Sequence, residues 1–385
     1  VDFFNGLFTG AGILVANTYG SGDEKKLSAA VHTTVAFGLI TGVFLTALGT
    51  LSAPLLLSWI DTPASILADS TAYFRVYFSG SLAFVMYNCC TGVLRNIGDS
   101  VRPLWYLLAA SGTNVVLGLV VVGVFRWGIA SAALATILSQ GLSAALCLRH
   151  LCRVKAAYRV DLRGVRPERQ SLRLTLHYGL PSGFQNSVIA LSNALIQASV
   201  NAFDVKAIAG CGVCAKLEGF AILPILSFSM ALSTFAGQNK GAGKPERVKE
   251  GSLFGVLCCC VFTGLTGAAL LLAMPALTAL FNRDPEVIAF SVQRARITAP
   301  FFVLLGFSNC MGGILRGIGK VRTSMMIYLI CWCLIRVALI LAGVRIFPDI
   351  RIIFWAYPIT WFLSTVAFAW TGWKNVFSFG RKAAG

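Results

Sequence analysis

Residues 75–98 read RVYFSGSLAFVMYNCCTGVLRNIG, and residues 296–319 read RITAPFFVLLGFSNCMGGILRGIG. Set against one another they pair Arg75 with Arg296, Asn88 with Asn309, Gly92 with Gly313, Arg95 with Arg316 and Gly98 with Gly319, every pair 221 positions apart. The same offset superimposes Gly20 on Gly241, Gly22 on Gly243 and Pro54 on Pro275. The chain therefore contains one unit twice. Both copies carry long apolar runs, so the duplication lies inside a membrane protein, where internal repeats accompany a binding site between halves.

Of the 385 residues 57% are hydrophobic, and the mean hydropathy is +0.76, far more apolar material than a soluble core of this length needs. About 20 apolar residues cross a bilayer core of about 30 Å. By that measure eleven candidate spans lie near 1–19, 30–59, 71–94, 103–125, 128–148, 175–201, 208–236, 252–281, 290–315, 324–346 and 352–373. Six of them separate Gly20 from Gly241, an even number, so equivalent helices run in the same direction and the repeats are parallel. Val1 is not an initiator methionine, and no signal-peptide flank surrounds residues 1–19. If the halves hold equal numbers of spans, one helix precedes Val1 and the intact protein has twelve. The expected fold is an all-α polytopic membrane protein of two parallel six-helix bundle repeats around a central cleft, with the first helix missing and eleven spans present. The expected organisation is an N-terminal bundle over 1–148, a basic cytoplasmic linker over 149–174 and a C-terminal bundle over 175–385.

The net charge is +17, and its distribution decides what it means. Alternating the loops puts Lys25, Lys26, Arg95, Arg102, the linker arginines from Arg149 to Arg173, Lys240, Lys244, Arg247, Lys249, Arg316, Lys320, Arg322, Lys374, Arg381 and Lys382 on one face. Only Arg126, Lys206, Arg283, Arg345 and Arg351 fall on the other. That asymmetry is the positive-inside pattern and makes the basic face cytoplasmic, in a cell membrane. Without a basic, aromatic-rich soluble domain, no nucleic-acid partner is expected. The linker is expected to meet anionic lipid headgroups, at about 1 kcal/mol per basic residue. The 12 cysteines mostly sit within the spans as small hydrophobes. Cys211-x-x-Cys214 has no second pair or nearby histidine, so no metal site is expected.

Four glycine-bearing ends recur in the two halves. In Leu94-Arg95-Asn96-Ile97-Gly98 and Leu315-Arg316-Gly317-Ile318-Gly319 the glycine permits the turn that ends a helix, while the arginine reaches toward headgroups. Tyr19-Gly20-Ser21-Gly22 and Lys240-Gly241-Ala242-Gly243 read as tight turns before a charged stretch. No Gly-Lys-Ser/Thr follows, so these are not phosphate loops.

These residues, with Gly179-Leu-Pro-Ser182, Phe235-Ala-Gly-Gln-Asn-Lys-Gly-Ala-Gly-Lys-Pro-Glu-Arg247, Ala132-Ala-Leu-Ala-Thr-Ile-Leu-Ser-Gln140 and Ala356-Tyr-Pro-Ile-Thr360, resemble the multidrug and toxic compound extrusion (MATE) family. The resemblance extends over nearly the whole chain. It implies two six-helix bundles facing a central cleft and export of cationic or amphiphilic organic compounds in exchange for protons or sodium ions. Many relatives carry an acid on their first helix, which would precede this chain. On the fifth helix the family often reads Asn-x-x-x-Asp-Pro, and here Asn114 is kept while Gly118 stands at the aspartate position. Thr136 matches a hydroxyl that lines the same pocket. Asn114 and Thr136 are thus cation-coupling candidates by resemblance. Carboxylates that another branch places on its seventh and tenth helices are absent from 175–201 and 290–315.

Charges at the bilayer centre cost about 2.5–3.5 kcal/mol on insertion scales, which makes Glu218 and Arg336 default functional candidates. Glu218 precedes Pro224 by six residues, and a proline opens a helical carbonyl. Glu218 is read as taking up a proton or facing a cationic substrate, or as forming a structural ion pair with Arg336. Asn186, Asn193 and Gln197 share one helix face and either line the cleft or hydrogen-bond between helices. Asn88 and Asn309 read as packing contacts, Arg75 and Arg296 as snorkelling side chains. Prolines 54, 181, 224, 275, 300 and 358 supply bends. The expected function is secondary active efflux by a monomer, with small-molecule drugs or organic cations and membrane lipids as partners. No cofactor beyond the coupling proton or sodium ion is expected. A lipid-linked oligosaccharide flippase is the alternative, and an intramembrane enzyme, which needs clustered acids or a metal, is disfavoured.

Overall fold

The computed structural model describes residues 2–59, 63–124 and 130–377. Arg126, Arg381 and Lys382, counted in the charge asymmetry, lie outside the described residues. Within them every regular element is helical. The order is α1 (Asp2–Ser21), α2 (Glu24–Trp59), α3 (Ala64–Ser79), α4 (Ser81–Asn96), α5 (Val101–Gly118), α6 (Ala130–Arg153), α7 (Arg169–Val200), α8 (Val205–Gly241), α9 (Pro245–Phe281), α10 (Pro285–Thr298), α11 (Phe302–Gly317), α12 (Val321–Tyr328), α13 (Arg336–Ile346) and α14 (Arg351–Gly372). Three expected spans are interrupted rods. Gly80 separates α3 from α4, Pro300 sits in a 3₁₀ turn (Ala299–Phe301) joining α10 to α11, and a π-helical stretch (Leu329–Ile335) joins α12 to α13. By length and composition, eight described helices or rods are long and apolar enough to cross a membrane. The remainder, α1, α3–α4 and α7, carry more polar residues or a break.

Large apolar side chains point outward, as with Leu272 (84% exposed) and Leu280 (80%) on α9. A soluble protein does not spread leucine this way, and lipid is the solvent that accepts it. The interior instead holds hydroxyls such as Thr263 and Thr360, each donating to the carbonyl four residues back at 2.8 Å. That bond satisfies the hydroxyl without breaking the helix.

Two compact units divide the chain, residues 7–179 and residues 180–385 with 1–6. In the first, α4 packs between α2 and α6 around Val31, Val35, Met86, Cys90, Leu94 and Cys147. The α6 helix runs to Arg153 and α7 begins at Arg169, so the connector is 154–168 and carries one 3₁₀ turn, Leu162–Gly164. It lies on α2, where His32 Nε2 accepts from the Asp161 N–H and Thr33 Oγ1 from the Glu168 N–H, both at 3.0 Å. In the second unit α11 packs closely on α8. Gly313 and Gly317, one turn apart, meet the carbonyl oxygens of Ser229 and Ser233, so any side chain there would collide with backbone. Small residues at this spacing let membrane helices approach.

The repeated turns share a left-handed glycine. Gly22, Gly98, Gly243 and Gly319 have φ of 70°, 101°, 67° and 81°, the left-handed region that costs an L-residue about 1–2 kcal/mol. After α4 the Gly98 N–H bonds to Arg95 O at 3.0 Å and the Asp99 N–H to Leu94 O at 2.9 Å. After α11 the Gly319 and Lys320 N–H groups repeat the pattern, both at 2.8 Å. These bonds satisfy carbonyls that a helix end leaves open. Arg316 departs from the expectation of snorkelling. It turns sideways, and its Nη2 donates to Ser229 Oγ at 3.2 Å.

Candidate functional site

The buried stripe of α8 runs through Ala207, Gly210, Cys211, Cys214, Leu217, Glu218, Ala221 and Ile225, the 3–4 spacing of one helix face. On α10 the corresponding stripe is Val287, Ser291, Ala295 and Thr298. Gly210 lets the two faces close, because a Cβ there would lie 2.7 Å from the Val287 carbonyl oxygen. Two turns further on, Glu218 meets α10. Arg294 Nη2 donates to Glu218 Oε2 at 2.6 Å, and Thr298 Oγ1 stands 2.7 Å from Oε1, so both carboxylate oxygens are engaged. Arg294 Nη1 also donates to the Cys211 carbonyl at 3.4 Å.

The Arg336 guanidinium lies in the same unit, but it does not pair with Glu218. Its Nε donates to Thr360 Oγ1 at 2.9 Å, and its Cζ sits 4.6 Å from the Tyr357 ring centroid and 5.3 Å from that of Trp332. The Tyr357 ring is shared, with Arg294 Cζ at 5.7 Å. Trp332 is itself oriented by Nε1, which donates to Ser364 Oγ at 3.0 Å. Both Trp332 and Arg336 are presented by the π-helical stretch Leu329–Ile335 and its first following residue. Single π-turns are frequent where a helix carries function. The structural reading that paired Glu218 with Arg336 is thereby corrected to Arg294. The pairing is geometric, since α10 carries its arginine directly opposite α8.

Charge bookkeeping leaves a remainder. Glu218 and Arg294 cancel, whereas Arg336 is 4% exposed and has no carboxylate within 4 Å among the described residues. A guanidinium does not shed its proton. Desolvating it costs several kcal/mol, and a desolvated ring face returns about 2 kcal/mol or more. Arg336 Nη2 and Arg294 Nε are both buried without a hydrogen-bond acceptor. The cluster holds one positive charge more than it neutralises.

The other expected residues make no hydrogen bond to Glu218 or Arg336. Asn186 Nδ2 donates to the Asp2 carbonyl at 3.3 Å, Gln197 Nε2 donates to Asn201 Oδ1 at 2.9 Å, and Asn193 is exposed. In the first unit Asn114 Nδ2 donates to Thr136 Oγ1 at 3.4 Å, which brings the two coupling candidates together. Beside them Gly118 has open space where a side chain would stand. Asn88 and Asn309 each donate to the carbonyl four residues back at 2.9 Å, as packing residues do.

Arg294 is the residue that sequence reasoning passed over. The signal was present, because Arg294 and Arg296 are two apart and so point about 200° from one another on a helix. One of them had to face inward. Arg296 is exposed, and the Arg294 side chain is 13% exposed. By the 221-residue offset Arg294 and Arg336 correspond to Tyr73 and Val115, so these charges are particular to the second half.

Comparison with known proteins agrees with this architecture. The Probable multidrug resistance protein YpnP of Bacillus subtilis (strain 168) is 29% identical over 338 residues, 87% of this chain and 75% of its own length. A FAD transporter of Shewanella oneidensis is 26% identical over 292 residues, 74% of this chain and 64% of its own length. A crystal structure of a MATE protein in the bent conformation superposes with a TM-score of 0.91 at 21% identity, covering 100% of this chain and 86% of that one, a likeness of fold. The MatE family model matches residues 1–120 and 181–341, most of both halves, and the chain accordingly belongs to the MatE family, whose members are membrane transporters and not enzymes.

Proposed function

We propose that this chain is a secondary active efflux transporter that exports cationic or amphiphilic organic compounds by alternating access, driven by exchange for protons or sodium ions. The observation that carries the reading is the charged cluster Glu218–Arg294–Arg336 inside a helical unit of a MatE-family chain. Charge at membrane depth is costly and is kept where a transported solute or ion needs it. Relatives named as multidrug resistance proteins favour efflux over other transport.

Two places suit coupling. In the first unit, Asn114 and Thr136 offer oxygens beside the open space at Gly118. In the second, a proton arriving on Glu218 would release Arg294, which a 2.6 Å ion pair otherwise holds. Either event biases alternating access only by binding one conformation better than the other. The basic loops would face the cytoplasm of a cell membrane, and the protein would act as a monomer. An amine reagent that does not cross membranes should then modify Lys25 and Lys26 only from the inner side.

Proteoliposomes loaded with a fluorescent organic cation test the reading. Extrusion should require an imposed proton or sodium gradient and should be abolished by Glu218→Gln in correctly inserted protein. Dye movement indifferent to both gradients would remove the coupled-efflux reading, and full activity in Glu218→Gln would remove that residue from it.

A further inference from the structure

We propose that Arg336 is an anion-recognition residue and that the second unit takes the carboxylate or phosphate group of an organic solute. The inference rests on the transporter reading and deepens it, by assigning one charged group of the substrate to one residue.

Three observations carry it. Arg336 is almost wholly buried, and its Nη2 has no acceptor. The Glu218 carboxylate accepts from Arg294 and Thr298 and forms no ion pair with Arg336. The rest of the Arg336 environment is preorganised. Thr360 Oγ1 donates to the Ala356 carbonyl at 2.8 Å, which turns its lone pair toward Arg336 Nε, and the Tyr357 and Trp332 rings flank the guanidinium. A side chain held at Nε and on its faces keeps only its Nη edge for a ligand, and that edge suits two oxygens of one carboxylate or phosphate. Tyr357, which borders Arg336, and Arg294, which shares its ring, are themselves only partly buried. The aromatic surfaces beside the cation favour a solute that pairs its anionic group with an apolar or aromatic body.

Equilibrium binding to the purified full chain in neutral micelles, followed by anisotropy, tests the assignment. The probes are fluorescein, an anionic xanthene, and tetramethylrhodamine ethyl ester, a cationic xanthene of similar shape. The ratio of fluorescein to rhodamine affinity should fall at least about thirtyfold in Arg336→Gln, the smallest loss expected when one member of a buried charge pair is removed. Arg336→Lys, which keeps a point charge without the fork, should lower the ratio by a smaller factor and serves if the glutamine variant does not fold. Arg296→Gln, at an exposed position, is the control. An unchanged ratio in folded Arg336→Gln or Arg336→Lys would overturn the proposal, as would a wild type that does not bind fluorescein. Repeating the binding in phosphatidylcholine bilayers with and without phosphatidylglycerol identifies the source of the anion. Displacement of fluorescein by phosphatidylglycerol would mean that a lipid headgroup supplies it, and persistence would mean a soluble solute. Proteoliposomes separate the two readings. If neither dye is transported while Arg336-dependent fluorescein binding persists, efflux fails and the anion site stands. If the cation is exported but charge discrimination ignores Arg336, the anion site fails alone.

Discussion

The Glu218–Arg294 pair gives a prediction whose size follows from burial. The two side chains are 8% and 13% exposed and meet at 2.6 Å. Removing one member of such a pair leaves an uncompensated charge and costs about 3–5 kcal/mol, whereas replacing both by apolar residues of similar volume is often neutral or stabilising. Glu218→Met should therefore lose about 3–5 kcal/mol, because Arg294 then keeps only the Cys211 carbonyl and the face of the Tyr357 ring. Arg294→Met should lose slightly less, since Glu218 retains Thr298 at 2.7 Å. The double variant should lie within about 2 kcal/mol of wild type, which gives a coupling energy of about 3 kcal/mol or more between the positions. Unfolding of the purified protein by SDS in mixed micelles measures all four corners of the cycle. If the double variant loses the sum of the two single losses, the carboxylate and guanidinium do not stabilise one another, and the reasoning is refuted. The same double variant should be folded yet inactive in coupled export, a combination that a purely structural pair would not give.

Two further outcomes follow from other parts of the structure. Gly313→Ala drives a methyl into the Ser229 carbonyl and should cost about 1–3 kcal/mol, visible as loss of monodisperse protein, whereas Gly212→Ala enters open space and should leave the yield unchanged. Asp23 Oδ1 accepts the Lys26 N–H at 3.0 Å, and that bond, with the Lys26 side chain, holds its carboxyl below the usual range. A lowered folded pKa stabilises above the unfolded value and is lost as pH falls through the folded one, so amide protection factors at the start of α2, exchange rates referred to the intrinsic rate at each pH, should fall below about pH 4 and lose that dependence in Asp23→Asn.

The cluster and the turns differ in how far the residues reveal them. The glycines at 22, 98, 243 and 319 were legible because a left-handed turn after an apolar run has one cheap occupant. The rods were legible because lipid demands long apolar helices with internally satisfied backbones. Glu218 could be marked as costly, but its partner could not be named. Choosing between Arg294 and Arg336 requires the rotation of α10 against α8, which is set by the close approach at Gly210. The i,i+2 spacing of Arg294 and Arg296 showed that one must be inside, without showing which.

The residues by themselves thus determined a duplicated, all-helical membrane chain, because hydropathy, offset and turn chemistry are properties of local sequence. Only the packed structure decided which charges neutralise one another and which remains over, because ion pairing depends on distances of 3 Å between helices far apart in the chain. The unpaired Arg336 belongs to that second kind of knowledge. Its sequence position says that it is costly, and its tertiary surroundings place no carboxylate within 4 Å of it among the described residues.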